Sequence, residues 1–213
     1  MAYFVGSIPT AVMVGKAQMG IDIRDYGSGN AGATNTFRVL GKKAGILVMS
    51  VDVLKGFAAT CIPQLLFLLE LDNPISVDVT ILQIFYGIAS VVGHIFPVYA
   101  KFKGGKGVAT LLGMIIAINP LASLTCVVIF LIVLFSSKYV SLGSMIAALA
   151  FPILLLIPRF NSQYQDSPEI LNILIAFGFV LFSLVVLTHQ KNIKRLINGE
   201  ESKANIGKKK KDK

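Results

Sequence analysis

Charged residues are scarce in this sequence. Only 15% of its 213 residues are Asp, Glu, Lys or Arg, whereas 54% are hydrophobic and the mean hydropathy is +0.73. A water-soluble domain usually carries about 25% charged residues, so the composition excludes a large soluble module. Several apolar stretches approach the roughly 20 residues that cross a bilayer as a helix. We therefore predict a single all-α, polytopic integral membrane domain.

Cysteine and histidine are also rare, with two of each. Cys61 and Cys126 lie inside apolar segments without the spacing of metal ligands, which favours buried packing. The histidines and carboxylates likewise lack the spacing of a metal site. The sequence therefore predicts neither a metal centre nor a bound cofactor.

Acidic residues are outnumbered by basic ones, 11 to 20, which gives a net charge of +9. The basic residues occupy short loops between apolar segments and a C-terminal tail. This arrangement sets membrane orientation and attracts anionic lipid, and it argues against nucleic-acid binding. Residues 1–19 are not expected to be a signal peptide, because no basic region precedes the apolar run and no small-residue cleavage site follows it.

Seven apolar segments are expected to span the membrane as helices: 2–19, 45–69, 79–100, 108–118, 120–135, 141–157 and 170–188. The first is interrupted by Gly6, Ser7 and Pro9. Gly, Ser and Pro in a membrane helix allow close packing or a kink. We therefore expect an irregular first span.

The number of spans depends on the boundary at Asn119-Pro120. This dipeptide favours a turn, and proline disfavours a helical conformation in the residue before it. With a boundary there, the basic loops and the tail share one face of the membrane, and Arg159 is the one basic residue placed opposite. The positive-inside rule then predicts seven spans, with the N-terminus outside and the C-terminus cytoplasmic.

The longest polar insertion, residues 20–44, combines glycines with Asn, Thr, Ser and four basic residues. Glycine lets backbone amides approach an anion closely, while Arg and Lys supply charge. A phosphate-binding loop explains this mixture better than a flexible connector, which would account only for the glycines. The stretch GSGNAG matches the dinucleotide fingerprint GxGxxG by accident, because no apolar strand or βαβ unit surrounds it.

A second insertion, residues 93–110, reads GHIFPVYAKFKGGKGVAT. Ala100 stands where a Walker A loop requires its first glycine, so a nucleotide P-loop is not predicted. A second phosphate-binding turn is favoured, with Lys106 as the expected ligand because glycines flank it. Lys101 and Lys103 are better explained as side chains that snorkel to the membrane interface.

A third insertion, residues 188–203, follows the last apolar segment. His189, Asn192 and Arg195 are three residues apart, so they can share one helix face. Taken singly, His189 is also explained as an interfacial residue and Arg195 as a membrane anchor. Only in combination do they indicate a site.

Two charged residues lie inside the second apolar segment. Asp52 and Lys55 are at i and i+3, and charges within a membrane are costly unless they are paired or functional. We interpret them as an ion pair that supports the site. His94, at the end of the third segment, is consistent with either a core or a catalytic role.

The chain closely resembles the bacterial membrane-integral acyl-phosphate:glycerol-3-phosphate acyltransferases in motifs that occur in the same order: GSIPT, GSGNAGATNTFRVLGKKAG, DVLKG, GHIFPVYAKFKGGKGVAT and HQKNIKRLINGEESK. The resemblance covers residues 3 to 203. It implies one seven-spanning acyltransferase domain over 1–203, with the active site on the cytoplasmic face of the bacterial inner membrane. Residues 204–213 are expected to form a polybasic, disordered tail.

The resemblance implies transfer of an acyl group from acyl phosphate to glycerol 3-phosphate. The products would be 1-acylglycerol 3-phosphate (lysophosphatidic acid) and phosphate, and neither acyl-CoA nor acyl carrier protein would be the immediate donor. The implied catalytic residues are Ser28, Arg38, Lys106 and His189. The residues expected to bind substrate phosphate are Gly29, Asn30, Thr34, Asn35, Gly104, Gly105, Gly107, Asn192 and Arg195. The residues expected to support the site are Asp52, Lys55 and Glu201.

Three mechanisms remain open at this point. An acyltransferase design with Asp four residues after His is excluded, because Val98 and Ile193 occupy those positions. The base is then either His189 or a substrate phosphate oxygen, whose second pKa is about 6. A covalent acyl-Ser28 ranks below direct transfer.

The alternative function is a polytopic transporter of an organic phosphate. The protein is expected to be a monomer with membrane lipid around it.

Overall fold

The computed structural model describes residues 1–69 and 77–204. All but the first residue of the predicted tail therefore lies outside the described residues. Across the two described ranges the chain is helical and contains no β-strand. This confirms the all-α prediction.

The described chain forms eleven α-helices, which we label α1 (Ala2–Gly6), α2 (Thr10–Met19), α3 (Ala33–Val39), α4 (Lys42–Leu68), α5 (Val79–Ile95), α6 (Val108–Ile118), α7 (Pro120–Ser137), α8 (Val140–Leu154), α9 (Pro158–Asn161), α10 (Pro168–Thr188) and α11 (Gln190–Ile197). Single turns of 3-10 helix occur at Ile23–Asp25, Val98–Ala100 and Ser162–Tyr164. These bounds follow the predicted apolar segments closely, because their ends carry the Gly, Pro and Asn residues that stop a helix.

Two of the predicted interruptions are confirmed. The first apolar segment is broken between α1, which ends at Gly6, and α2, which begins at Thr10. The second break falls at Asn119, which adopts an extended conformation (φ −143°, ψ 90°) before α7 starts at Pro120. In both places a proline removes the backbone donor that a continuous helix would need.

Four helical stretches in the described chain are long and apolar enough to cross a membrane: Lys42–Leu68, Val79–Ala100, Pro120–Ser137 and Pro168–Thr188. A fifth span is formed if Val140–Leu154 and Pro158–Tyr164, which are bent by 83° at their junction, count together. The apolar helix α6 is shorter than a full span. The chain is thus a multi-pass helical membrane protein.

The chain consists of two compact units, Met1–Pro120 and Leu121–Lys213. In the first unit, α4 is the central helix and packs against α1, α2, α3, α5 and α6. Its approach to α6 is very close, because a Cβ on Gly56 would clash with the main chain of Thr110, and one on Gly113 with that of Val53. Small residues allow this backbone contact between membrane helices, where dispersion rather than water drives packing.

The second unit is built around α8 and α10, which pack against each other. The turn between α7 and α8 contains Lys138 in the left-handed conformation (φ 66°). The carbonyl of Lys138 accepts a hydrogen bond of 2.7 Å from the main-chain N–H of Ala204. The segment after α11 therefore returns to the start of α8.

Candidate active site

The first polar loop, between α2 and α3, is anchored on a small apolar core. Ile23 is fully buried and packs with Ala11, Val12, Ala31 and Val48. These contacts hold both ends of the glycine-rich stretch against α2 and α4. The loop is therefore a packed structure and not the flexible connector considered as the alternative.

Asn35, at 1% exposure, holds the inner turn of this loop. Its amide nitrogen donates to the carbonyls of Ile23 and Tyr26, at 3.0 Å each. Its Oδ1 accepts a hydrogen bond of 2.8 Å from the main-chain N–H of Ser28. The amide of Asn35 thus fixes the backbone on which Ser28 is carried.

The side chains of Ser28, Thr34 and Arg38 are exposed, in contrast to that of Asn35. Gly29 between them adopts φ +72°, a left-handed conformation that side chains disfavour. The loop therefore presents a hydroxyl and a guanidinium beside a glycine that carries no side chain. This combination suits binding of an oxyanion.

Arg24 connects the first loop to the second. Its guanidinium donates from Nη1 to the carbonyls of Ala100, at 2.9 Å, and Lys103, at 3.2 Å. Nε and Nη2 donate to the two carboxylate oxygens of Asp22, at 2.9 and 2.6 Å. Hydrogen bonds from Arg24 lower the pKa of Asp22 to about 2, so this carboxylate stays ionised near neutral pH.

The second loop, residues 101–107, folds back on the end of α5. The main-chain N–H of Gly104 donates to the carbonyl of Ile95, at 3.1 Å, and that of Gly105 to the carbonyl of His94, at 3.2 Å. Carbonyls in the last turn of a helix lack partners within the helix, and these two are satisfied by the loop. Gly107 then caps α6 in a left-handed conformation, with φ +79°.

A buried polar cluster lies beneath this second loop. Asp52 Oδ1 is 2.8 Å from Lys55 Nζ and accepts a hydrogen bond of 3.1 Å from the hydroxyl of Thr10. His94 Nδ1 is 3.6 Å from the same oxygen, and Lys55 also donates to the carbonyl of Ile8 at 3.0 Å. The predicted Asp52–Lys55 ion pair is confirmed, and it joins helices α2, α4 and α5.

The third polar insertion lies in the second unit and is organised by Glu201. Its Oε1 accepts hydrogen bonds from Asn192 Nδ2, at 2.6 Å, and from the hydroxyl of Ser141, at 2.7 Å. Its Oε2 is 4.0 Å from Arg195 Nη1. Asn192 and Arg195 of α11 therefore both lie next to one carboxylate.

His189 is buried at the junction of α10 and α11. Its Nδ1 is 2.8 Å from the carbonyl of Val185, which can only accept a hydrogen bond, so Nδ1 carries the proton. In the neutral ring this leaves Nε2 unprotonated. A proton accepted by this neutral ring would therefore go to Nε2.

Within the first unit, the structure brings the predicted first and second loops together. Besides the Arg24 contacts, a Cβ built on Gly105 would lie 2.9 Å from the carbonyl oxygen of Ala31. Sequence reasoning missed Arg24 and Thr10, because their partners are backbone carbonyls or a residue far along the chain. It also missed Asp22, whose partner is Arg24 two residues on. The only sequence signal for these residues was an Asp-x-Arg pair in a polar loop.

In the described ranges, no group of three or more His, Cys, Asp or Glu could hold a metal ion.

These features define a class: helical integral membrane proteins that carry glycine-rich, basic loops next to their spans. The family described as glycerol-3-phosphate acyltransferase matches residues 1–199 of the chain. The chain belongs to the glycerol-3-phosphate acyltransferase family and is an enzyme.

Relatives and solved structures agree with this assignment. The glycerol-3-phosphate acyltransferase of Chlorobaculum tepidum is 41% identical, over 98% of this chain and 96% of its own length. That of Chlorobium phaeobacteroides is 39% identical, over 95% of this chain and 93% of its own. The crystal structure of PlsY (YgiH), an integral membrane glycerol 3-phosphate acyltransferase, in its glycerol 3-phosphate form superposes with a TM-score of 0.76 and 37% identity, covering 96% of this chain and 92% of that one. Its lysophosphatidic acid form gives the same TM-score at 36% identity, covering 95% and 91%.

Proposed function

We propose that the protein transfers an acyl group from acyl phosphate to glycerol 3-phosphate, giving 1-acylglycerol 3-phosphate and inorganic phosphate for phospholipid synthesis. The observation that carries the proposal is the contact between two glycine-rich, basic loops in the first unit. Both substrates carry phosphate, so the site must hold two anions near each other. Membership of the acyltransferase family decides against the transporter of an organic phosphate.

The first loop supplies side chains to one or both phosphates. Exposed Arg38 offers a planar, bidentate fork for phosphate oxygens. Ser28, Thr34 and Asn30 add hydrogen bonds. Gly29, whose N–H donates to the carbonyl of Tyr26, leaves space without a side chain for the phosphate to approach. Asn35 supports this loop instead of binding phosphate as predicted, because its amide is enclosed by the backbone of residues 23–28.

The second loop supplies the start of a helix and one charge. The N-terminus of α6 adds its partial positive charge next to Gly104, Gly105 and Gly107. Lys106 is half-buried between Gly105 and Gly107 and supplies the ammonium group. In the second unit, Asn192 donates to Glu201 and Arg195 lies 4.0 Å from it, and the resemblance assigns both residues to phosphate binding as well.

The reaction is a direct transfer. The 1-hydroxyl oxygen of glycerol 3-phosphate attacks the carbonyl carbon of the acyl phosphate and forms an ester bond. The bond between that carbon and the bridging phosphate oxygen breaks, and phosphate leaves with the electron pair. The hydroxyl proton passes to His189 Nε2 or to a substrate phosphate oxygen. Phosphate is a good leaving group, so no covalent relay through the enzyme is required.

Purified protein tests the function. With glycerol 3-phosphate present, acyl phosphate should give lysophosphatidic acid and stoichiometric phosphate, whereas acyl-CoA should give no product. A matched reaction without glycerol 3-phosphate controls for spontaneous hydrolysis of the donor. Product formation from acyl-CoA at an equal rate would contradict the proposed donor, and absence of product from both would contradict the function.

Ser28 distinguishes direct transfer from a covalent intermediate. The described contacts of Ser28 include a hydrogen bond from its main-chain N–H to the Asn35 amide oxygen, and no His or carboxylate that could act as its base. Ser28→Ala should therefore slow the reaction, yet neither protein should retain label after incubation with labelled acyl phosphate alone and acid quenching. Label held by the unmodified protein and lost in Ser28→Ala would establish a serine nucleophile instead.

We also propose the arrangement in the membrane. Seven spans, with the N-terminus outside and the C-terminus cytoplasmic, place the basic loops 20–44, 101–107 and 136–140 on the cytoplasmic face of the inner membrane. The distribution of Lys and Arg supports this arrangement. Residues 1–203 would act as one acyltransferase domain and the protein as a monomer in membrane lipid.

Single cysteines at Ser137 and Asp166 test this topology. They lie before and after the α8–α9 pair, and the 83° bend there is compatible with either a broken span or a re-entrant loop. In a background with Cys61 and Cys126 replaced by serine, we expect an impermeant thiol reagent added to spheroplasts to label Asp166→Cys only. Labelling of Ser137→Cys only after membrane disruption is the matching control, and equal labelling of both in intact spheroplasts would refute seven spans.

A further inference from the structure

His94 occupies a position under the second loop that the reaction described above leaves unused. It is the penultimate residue of α5, and its residue is 6% exposed. Its main-chain carbonyl holds the N–H of Gly105, as described above. The His94 ring therefore lies directly behind the part of the loop proposed to contact phosphate.

The space beside Gly105 is filled by this ring. A Cβ built on Gly105 would clash with His94 Nε2 and would lie 3.2 Å from its Cε1. A Cβ on the neighbouring Gly104 would instead clash with the main-chain carbonyl of His94 and lie 2.6 Å from Pro97 Cδ. The two adjacent glycines thus meet the same residue in different ways, one at its side chain and one at its main chain.

The other edge of the ring faces the buried cluster. Nδ1 is 3.6 Å from Asp52 Oδ1, a distance compatible with an ion pair but too long for a hydrogen bond. Lys55 and Thr10 hold that carboxylate in place. The ring is consequently enclosed between a fixed carboxylate and the underside of the loop.

We propose that His94 is a positioning residue for the acyl transfer: its ring, backed by Asp52, supports the loop at Gly105 and so positions Lys106 and the start of α6 for a substrate phosphate. The inference rests on the proposed function, because the loop matters only if it binds phosphate. His94 does not touch the reacting atoms in this scheme. When a substitution far from the reacting atoms displaces a substrate by about 1 Å, the rate can fall about 100-fold. Loss of the support that His94 gives to the loop should therefore have a measurable effect.

The His94 ring is also a reason why residue 105 must be glycine. The methyl group of Gly105→Ala would point at the His94 ring and the Ala31 carbonyl, so it would lift the loop from its support. Removal of the ring should relieve the first of these clashes and leave only the approach of 2.9 Å to the Ala31 carbonyl oxygen. Side chains that share a space in this way have non-additive effects.

A double-mutant cycle tests this coupling in the purified, full-length enzyme. Gly105→Ala should raise the KM for one of the two phosphorylated substrates by about 10- to 100-fold in the unmodified background, with a smaller change in kcat. In the His94→Ala background the same substitution should cost a clearly smaller factor, because only the contact with the Ala31 carbonyl remains. Gly104→Ala is the matched control, and it should cost the same factor in both backgrounds, because its clash is with main chain that His94→Ala retains.

The outcomes distinguish failure of the positioning role of His94 from failure of the proposed acyl transfer. If Gly105→Ala costs the same factor with and without the His94 ring, the positioning role is wrong even though the enzyme transfers acyl groups. If the unmodified protein makes no product from acyl phosphate, the proposed function itself fails. Should His94→Ala not fold in detergent, His94→Asn carries the same comparison, because its shorter side chain also vacates the Nε2 position while it keeps an amide near Asp52.

Discussion

Replacement of Asp52 by alanine is expected to lower the free energy of unfolding by about 3–5 kcal/mol. Asp52 is 2% exposed and its carboxylate contacts the ammonium of Lys55, the hydroxyl of Thr10 and the ring of His94. Without it, the Lys55 ammonium stays buried and loses its charge partner, while its hydrogen bond to the carbonyl of Ile8 remains. Reversible denaturant unfolding of the purified protein in detergent measures the change.

Two variants make the Asp52 result specific. Asp166→Ala removes an exposed carboxylate and should stay within about 0.5 kcal/mol of the unmodified protein. Asp52→Leu combined with Lys55→Met removes both charges and should recover much of the stability, because an apolar pair of similar volume has no uncompensated charge. A double variant as unstable as Asp52→Ala would mean that the charge pair is not the cause.

Replacement of Arg38 by alanine is expected to lower kcat/KM by about 10- to 150-fold. Hydrogen bonds to charged groups contribute about 1.5–3 kcal/mol, and 1.4 kcal/mol corresponds to a factor of ten. Arg38 is exposed on α3, unlike Arg24, whose guanidinium is engaged by Asp22 and by carbonyls of the second loop. The exposed arginine is therefore the one proposed for substrate.

Arg38→Lys should recover only part of the loss, because a point charge replaces a bidentate fork. Unfolding of both variants should match that of the unmodified protein, since Arg38 lies at the surface. Arg159→Ala removes an exposed arginine at the opposite end of α8 from Lys138 and should leave kcat/KM unchanged. Full activity in Arg38→Ala would exclude this residue from the phosphate site.

Most of the helices could be predicted because their information is local. Apolar runs, together with Gly, Pro and Asn at their ends, determine where helices start and stop, as at Asn119-Pro120. The Asp52–Lys55 pair was likewise predictable, because residues at i and i+3 meet on the same helix face whatever surrounds them. The number of spans was harder to predict from the sequence. Whether α6 and the α8–α9 pair cross the membrane depends on how they pack and not on their length alone.

The residues that hold the site together required long-range contacts. Ser28 and Asn35 look alike as polar members of one loop, but Asn35 is enclosed by the backbone that it fixes and Ser28 is exposed. Arg24 and Lys101 both look like basic residues of a polar loop, but Arg24 binds the main-chain carbonyls of Ala100 and Lys103 in the other loop. No periodicity in the sequence distinguishes these cases, because the partners are main-chain carbonyls.

The sequence by itself determined a helical, multi-pass membrane protein of the acyltransferase family with three polar insertions. Composition, the residues that end helices and the order of the motifs are all properties of the chain that can be recognised without its structure. Only the tertiary structure decided which polar side chains are exposed and which support the site. It placed His94, one of two histidines, between Asp52 and the glycines of the second loop. That placement depends on how α4 and α5 pack, and packing joins residues that are more than 40 positions apart by the numbering of the chain.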